Sequence, residues 1–371
     1  MNITVIGGGN IGTVLLGELA KSPENRVSLL TSRPEQWHHS IEVIDSEAHT
    51  SFTAELTEIT NDAAIVQNAE LIFITVPSNA LPKTVARILP YVRVGTVICI
   101  VPGSGGCEFV CRPLIEKGCV FCGLQRVQCI ARIKEYGKSV YALSHKSEIS
   151  VAAIPQAKTP AVANMLGELL QMPCNALHNY LEVTLTPSNP ILHTARLYAM
   201  FRDYTAGVFY PKNILFYAEW DALSSETLIQ CDAELQTLCN TLPLELSQVV
   251  SLKIHYESDT AEKMTHKISH IPAFQGILSP MCETPDGFVP DFTSRYFLED
   301  FPYGLCIIKS FCRIANVDCP SIDRVLRWYE KFMGVRYFTE SGFDGADLKG
   351  LPLPQNFGFK SAQEIAEYYT K

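Results

Sequence analysis

The sequence predicts an α/β protein: an N-terminal Rossmann-type doubly wound parallel sheet followed by a C-terminal all-helical domain. Three observations point there. The chain opens on a short apolar run that ends in Gly7-Gly8-Gly9-Asn10-Ile11-Gly12. More short, β-branched apolar runs follow in the first third, each bounded by Gly, Pro, Asn or Ser. After about residue 185 strand-like runs become rare and helical periodicity dominates.

In chain order, residues 3–6, 27–31, 71–76 and 96–101 read as buried parallel strands. The stretches 11–21 and 81–89 between them can carry helices, which makes βαβ units. Residues 140–143 and 150–154 read as two more strands finishing the same domain. Ser188-Asn189-Pro190 is a helix start, a polar cap with proline at the first helical position. Residues 218–238 read as one long helix, and 303–316 and 322–333 as two more, each preceded by proline. A Gly- and Pro-rich tail predicts a surface segment before a last short helix. The expected domains are residues 1–185 and 186–371.

The bulk numbers set limits. A chain of 371 residues is too long for one ordinary core. With 47% hydrophobic and 19% charged residues it reads as globular rather than disordered. A net charge of -9 argues against nucleic acid or an anionic membrane as the main partner. No basic leader precedes an apolar stretch, and no run approaches the roughly 18 apolar residues of a spanning helix, so a cytoplasmic location is expected. The 13 cysteines then read as reduced, mostly buried thiols. Cys119 and Cys122 have C-x-x-C spacing inside CVFCG, with no second pair and no histidine at ligand spacing, so no metal site is expected. The oligomeric state is open, with a homodimer allowed.

The glycine run fits G-x-G-x-x-G between a strand and a helix, the context in which that pattern binds a dinucleotide. Gly7 permits the tight turn, Gly9 lets backbone approach a pyrophosphate, and Gly12 lets helix pack on strand. Asn10 and Ile11 complete the loop, and the helix N-terminus offers free N–H groups to the phosphates. The second strand ends at Thr31-Ser32-Arg33, where an acidic residue would hold the ribose of NAD. Hydroxyls and a guanidinium instead favour NADP(H), with NAD(H) also admissible; Arg33 pairs with a 2′-phosphate or, in the alternative, stacks on adenine. Val76, Pro77 and Ser78 follow another strand end and are expected to line the cofactor cleft. The run Pro102-Gly103-Ser104-Gly105-Gly106 is expected near the nicotinamide, with Ser104 in contact.

Asn189 and His193 lie four residues apart and share a helix face. A histidine near a helix N-terminus is held neutral by the dipole, which suits it to proton transfer beside a hydride step; the alternative is a buried structural histidine. Farther on, Arg295 can clamp a carboxylate through two hydrogen bonds, and Asp300 precedes a proline-initiated helix, where a carboxylate is also favoured structurally.

Taken together these segments resemble the octopine/nopaline (opine) dehydrogenase family almost end to end. The resemblance rests on the glycine loop, PGSGG at 102–106, ARIKEYGKSV at 131–140, SNPILHTARLYAMF at 188–201, RYFLEDFPYGL at 295–305 and the CPSIDRVLRWYEKFMG that follows. It implies a soluble enzyme that joins an amino acid to a 2-oxo acid and reduces the imine with NAD(P)H. It also implies His193 as the catalytic histidine, Asp300 as its partner and Arg295 as the carboxylate-binding arginine. Two departures stand out: Thr194 occupies a position where the family often has proline, and Gly-Leu-Gln-Arg-Val-Gln-Cys-Ile replaces the expected segment before ARIKEYGK. Gln125 and Arg126 there suggest a more acidic or larger substrate. The rival readings are a reductase of the ketopantoate reductase or glycerol-3-phosphate dehydrogenase type, and a non-catalytic NAD(P)-sensing protein. The first usually has a lysine at the helical-domain entrance, and none stands beside Asn189 and His193.

Overall fold

A computed structural model describes residues 1–371. The chain divides into two compact units, Met1–Thr184 with Glu367–Lys371, and Leu185–Ala366. The closing five residues therefore group with the first unit, although the sequence reading assigns them to the helical half.

The first unit contains β1 (Asn2–Ile6), β2 (Arg26–Leu30), β3 (Ser40–Asp45), β4 (Thr50–Glu55), β5 (Glu58–Thr60), β6 (Leu71–Ile74), β7 (Val97–Ile100), β8 (Val120–Leu124), β9 (Cys129–Glu135), β10 (Ser139–His145), β11 (Ile149–Ile154) and β12 (Cys174–Ala176). The main sheet has eight strands in the order β12-β11-β8-β7-β6-β1-β2-β5. From β8 to β5 every neighbour is parallel; β11 runs antiparallel to β8. The chain winds outward from β1 in both directions, so a switch point lies between β1 and β6, where a crevice opens at the strand ends. All four β6 residues, Leu71 to Ile74, are buried, as a strand covered on both faces requires.

The strand expected at residues 140–143 is present in this unit, but in a second sheet. The run around Val140 does not finish this sheet. It forms β10, which belongs to a separate four-stranded sheet ordered β4-β3-β10-β9. The alternation explains it: Val140 and Ala142 are fully buried and pack with Val14, Val43, Cys129 and Ala131, while Leu143 is exposed. Thr31 lies one residue beyond β2, and its N–H donates to Thr60 O at 3.0 Å. Cys119 and Cys122 are free, buried thiols, Cys122 lying in β8 opposite Cys99 of β7.

The second unit is mostly helical, with one short hairpin, Met281–Thr284 and Gly287–Pro290. Helix Ser188–Phe201 packs on Ala222–Thr241 and Pro320–Met333. The long helix starts at Ala222 rather than residue 218 because Asp221 caps it, its side chain accepting from Ser224 N. Before helix Cys306–Ile314, residues Phe301–Leu305 form a π turn. Phe301 stacks on Tyr329 at 4.1 Å within an aromatic core that includes Phe201, Phe297 and Phe332. No helix is long and apolar enough to cross a membrane.

Candidate active site

The glycine turn follows β1 at the switch point. Gly7 has φ +107°, a backbone region only glycine enters freely, and its N–H donates to Leu30 O at 3.2 Å. A Cβ on Gly12 would collide with the Gly7 carbonyl oxygen, so the Asn10–Ala20 helix approaches the strand only because Gly12 has none. Gly9 differs: a Cβ there would meet nothing within 4 Å, and no side chain caps the helix it begins. Unpartnered first-turn N–H groups beside open space form a cradle that fits a phosphate. Thr75, after β6, braces the turn with its hydroxyl 3.1 Å from Gly7 O and 3.2 Å from Ile6 O.

The other expected cofactor residues divide into two groups. The Asn10 side chain turns away to accept from Ile133 N–H at 2.9 Å, so it ties the loop to β9. Ile11 is half-buried against the core. Thr31 is buried, Ser32 and Arg33 are exposed, and the Arg33 guanidinium lies 4.8 Å from the Tyr136 ring centre. Val76 and Ser78 are half-buried and Pro77 is exposed. Ser104 is half-buried in a loop held by Gly103, whose N–H donates to Leu124 O at 2.8 Å and whose carbonyl accepts from Tyr180 Oη at 2.8 Å. Arg126 is half-buried after β8, and its charge adds to burial in lowering the Lys146 pKa. Gln125 Nε2 donates to Glu182 O at 3.3 Å.

Next to the Ser104 loop, Glu108 is fully buried. Its Oε1 accepts from Thr184 Oγ1 at 2.6 Å and from Tyr369 Oη at 2.5 Å. Burial pushes this carboxyl up to about 7, against the lowering effect of those two bonds. A third group, Glu18, Cys129 and His145, has ligand-type atoms within 4.8 Å of one another. His145 Nε2 already bonds to Glu18 at 3.1 Å, and burial, then the Glu18 charge, pushes the Cys129 thiol up to about 12. That arrangement is a hydrogen-bonded histidine–glutamate pair, with the histidine pKa raised by its bond to Glu18, beside a protonated thiol.

In the second unit the structure joins His193, in helix Ser188–Phe201, to Asp300, in the turn just before Phe301–Leu305. His193 Nδ1 lies 2.8 Å from Asp300 Oδ2, with side chains 12% and 15% exposed. The approach is built from the sequence: Gly304 has no side chain, and Pro190 packs where its Cβ would stand. The π turn contributes too, with Leu305 N–H bonding back to Asp300 O at 2.9 Å. Asn189 is exposed one turn before His193, and Arg295 is exposed at the start of the short Arg295–Leu298 helix. Its neighbour Tyr296 lies 4.7 Å from the His193 ring, and Phe216 meets that ring edge-on at 5.6 Å.

Sequence reasoning missed Tyr217. Its hydroxyl lies 2.9 Å from His193 Nε2, and its ring stacks on Phe274 at 4.2 Å. In a neutral imidazole with Asp300 accepting from Nδ1–H, Nε2 carries the lone pair and accepts from the phenol. A carboxylate on one ring nitrogen and a hydroxyl on the other is an arrangement chemically able to transfer a proton.

Two family models match the chain. Residues 176–333 match the NAD/NADP octopine/nopaline dehydrogenase alpha-helical domain, and residues 3–151 match ketopantoate reductase PanE/ApbA. The chain is 28% identical to tauropine dehydrogenase of Arabella iricolor, over 98% of this chain and 99% of that one. It is 26% identical to octopine dehydrogenase of Pecten maximus, over 98% of both. A solved octopine dehydrogenase structure, described with NADH and L-arginine, superposes with a TM-score of 0.88 at 26% identity, covering 99% of this chain and 98% of that one. A 2-dehydropantoate 2-reductase from Geobacter metallireducens superposes with a TM-score of 0.64 at 12% identity, a likeness of fold.

Proposed function

The chain belongs to the octopine/nopaline dehydrogenase family, and from that premise we propose how its own residues carry the family's reaction. It is an NAD(P)-dependent oxidoreductase acting on CH–NH bonds: an amino acid condenses with a 2-oxo acid, the imine is reduced, and the reverse direction oxidises the secondary amine. The bound dinucleotide supplies the hydride. The observation that carries the assignment of roles is the 2.8 Å pairing of His193 with Asp300.

Asp300 accepts from Nδ1–H and leaves Nε2 as the nitrogen that exchanges protons. Nε2 takes a proton from the amino acid's ammonium, freeing the electron pair that attacks the carbonyl carbon of the oxo acid. A second proton passes from the attacking nitrogen to the carbonyl oxygen, and the protonated imidazole, stabilised by the Asp300 carboxylate, returns the first to the resulting hydroxyl, which leaves as water. Arg295 binds a substrate carboxylate in bidentate fashion, and Asn189, on the His193 face, adds a polar contact. Arg126 favours a substrate with an additional acidic group. On the cofactor side, the Gly7–Gly12 turn holds the pyrophosphate. Arg33, with Thr31 and Ser32, favours NADP(H) over NAD(H), because the strand end carries a guanidinium where a carboxylate would repel a 2′-phosphate. We also propose a cytoplasmic location; a homodimer is compatible with the reading.

The test is a panel of amino acids mixed with pyruvate or 2-oxoglutarate, run with NADH and NADPH in parallel. Oxidation that requires both amine and oxo acid supports the reading, and a higher kcat/KM for NADPH supports the Arg33 role. Turnover of an oxo acid alone would instead favour the ketopantoate-reductase alternative. Cofactor binding without amine-dependent turnover would favour the sensor.

A further inference from the structure

Tyr217 lies in the stretch between helices Ser188–Phe201 and Ala222–Thr241, which has no regular secondary structure. Its backbone is tied on one side to the 277–279 stretch, through Phe216 N–H to Ile277 O at 2.8 Å and Ser279 N–H to Ile214 O at 2.9 Å, and the Tyr217 hydroxyl lies 2.9 Å from His193 Nε2. From the helix that carries His193 the same stretch is held by Arg196, one turn along from the histidine. This side chain is 1% exposed, and burial pulls its pKa below the usual guanidinium value.

A buried cation is tolerated when its donors are matched. Arginine has five N–H donors in a fixed fork, and here each has an acceptor. Nε donates to Phe216 O at 2.8 Å. Nη1 donates to Asp221 Oδ2 at 3.2 Å and Ser224 Oγ at 3.3 Å. Nη2 donates to Leu215 O at 3.4 Å and Glu219 O at 2.7 Å. Every acceptor lies within residues 215–224, the irregular stretch around Tyr217 and the first turn of the helix that follows it. The far side of the run is braced too: Glu219 Oε2 accepts from Leu215 N–H at 2.8 Å, and Tyr217 packs between Trp220 and Phe274.

Resting on the dehydrogenase reading above, we infer that Arg196 is a positioning residue that sets the Tyr217 hydroxyl on His193 Nε2, where it stands in for the substrate proton donor. In the neutral imidazole with Nδ1–H on Asp300, the phenol satisfies the lone pair of Nε2. An incoming ammonium or hydroxyl then takes over a hydrogen bond whose direction is already set, so the imidazole needs no reorientation. One side chain on the histidine's own helix thereby holds the stretch that faces Nε2.

A double-mutant cycle with Tyr217→Phe and Arg196→Lys tests it. Lysine keeps the charge and loses the fork. Tyr217→Phe should lower kcat/KM about tenfold. Arg196→Lys should cost about tenfold with Tyr217 present and less than about twofold in the Tyr217→Phe background, because both remove the same contact. The dissociation constant for NADH, read by fluorescence, should stay within about twofold throughout, since both positions lie in the second unit. The ¹⁵N shift of His193 Nε2 in the cofactor-free protein should move in Tyr217→Phe and move the same way in Arg196→Lys. Equal losses from Arg196→Lys in both backgrounds, or an Nε2 shift indifferent to Tyr217→Phe, overturn the inference. If the Arg196→Lys chain does not fold, Asp221→Asn, at a side chain 49% exposed, removes the charged acceptor and is read through the same cycle. An unsubstituted chain with no amine-dependent turnover defeats the dehydrogenase reading, while the ¹⁵N arm, run without substrate, still decides the pairing.

Discussion

Glu108 makes the stability of the first unit depend on pH in the direction opposite to most carboxylates. The side chain is fully buried and its carboxyl is raised from the usual 4.5 to about 7. The folded chain therefore holds this proton more tightly than the unfolded chain. Its contribution to stability is complete below about pH 4.5 and is lost as pH rises to about 7. A displacement of that size is worth about 3 kcal/mol. Glu108→Gln is the perturbation, since the amide keeps an oxygen for Thr184 and Tyr369 and cannot ionise. Urea unfolding of both proteins at pH 5 and pH 8 gives the difference in unfolding free energy, in which other titrating groups cancel. That difference should move in favour of the glutamine variant by about 3 kcal/mol between the two pH values. A difference that is the same at pH 5 and pH 8 would refute the reasoning and mean that Glu108 stays ionised in the fold.

Other substitutions probe the site. His193→Ala should abolish turnover, by about a thousandfold or more, with the NADH dissociation constant nearly unchanged; a variant that still turns over would remove the histidine from the mechanism. Gly9→Val should weaken dinucleotide binding tenfold or more, on the order of 1.4 kcal/mol, with little loss of melting temperature, because its side chain enters space that only a ligand would need. Unchanged affinity in an equilibrium titration would show the cradle is elsewhere. Arg33→Ala should raise the NADPH dissociation constant about 10- to 100-fold and the NADH constant much less; equal losses would point to stacking on adenine. Arg295→Met should raise KM for the 2-oxo acid roughly 10- to 100-fold while cofactor binding stays as it is, and an unchanged KM would end its role as the carboxylate clamp.

Those residues were readable to different degrees. Strands β1, β2, β6 and β7 announce themselves because strands covered on both faces are near-continuous apolar runs. β3 and β4 do not: Ser40–Asp45 and Thr50–Glu55 have one wet face and read as polar connection. The glycine loop was readable because Gly7 and Gly12 answer to backbone sterics, whereas the Asn10 side chain, expected at the cofactor, is committed to Ile133. The pairing of His193 with Asp300 came from the family pattern. No periodicity links two residues 107 positions apart, and the Gly304–Pro190 contact that brings them together is a matter of packing. Tyr217 left no mark, being one aromatic among several in FYAEW on an irregular stretch. Arg196 did leave one: a lone cation among apolar neighbours in TARLYAMF, the pattern of a buried charge that needs partners.

The bond from Tyr369 to Glu108 spans 261 positions and closes the first unit with residues from the other end of the chain. During synthesis that unit must wait, with a buried acid lacking one of its two donors, until the whole helical half has left the ribosome. A fragment ending at Thr184 would stay in that unfinished condition, so the dinucleotide-binding half is not a module that can be excised by cutting at the boundary between the units.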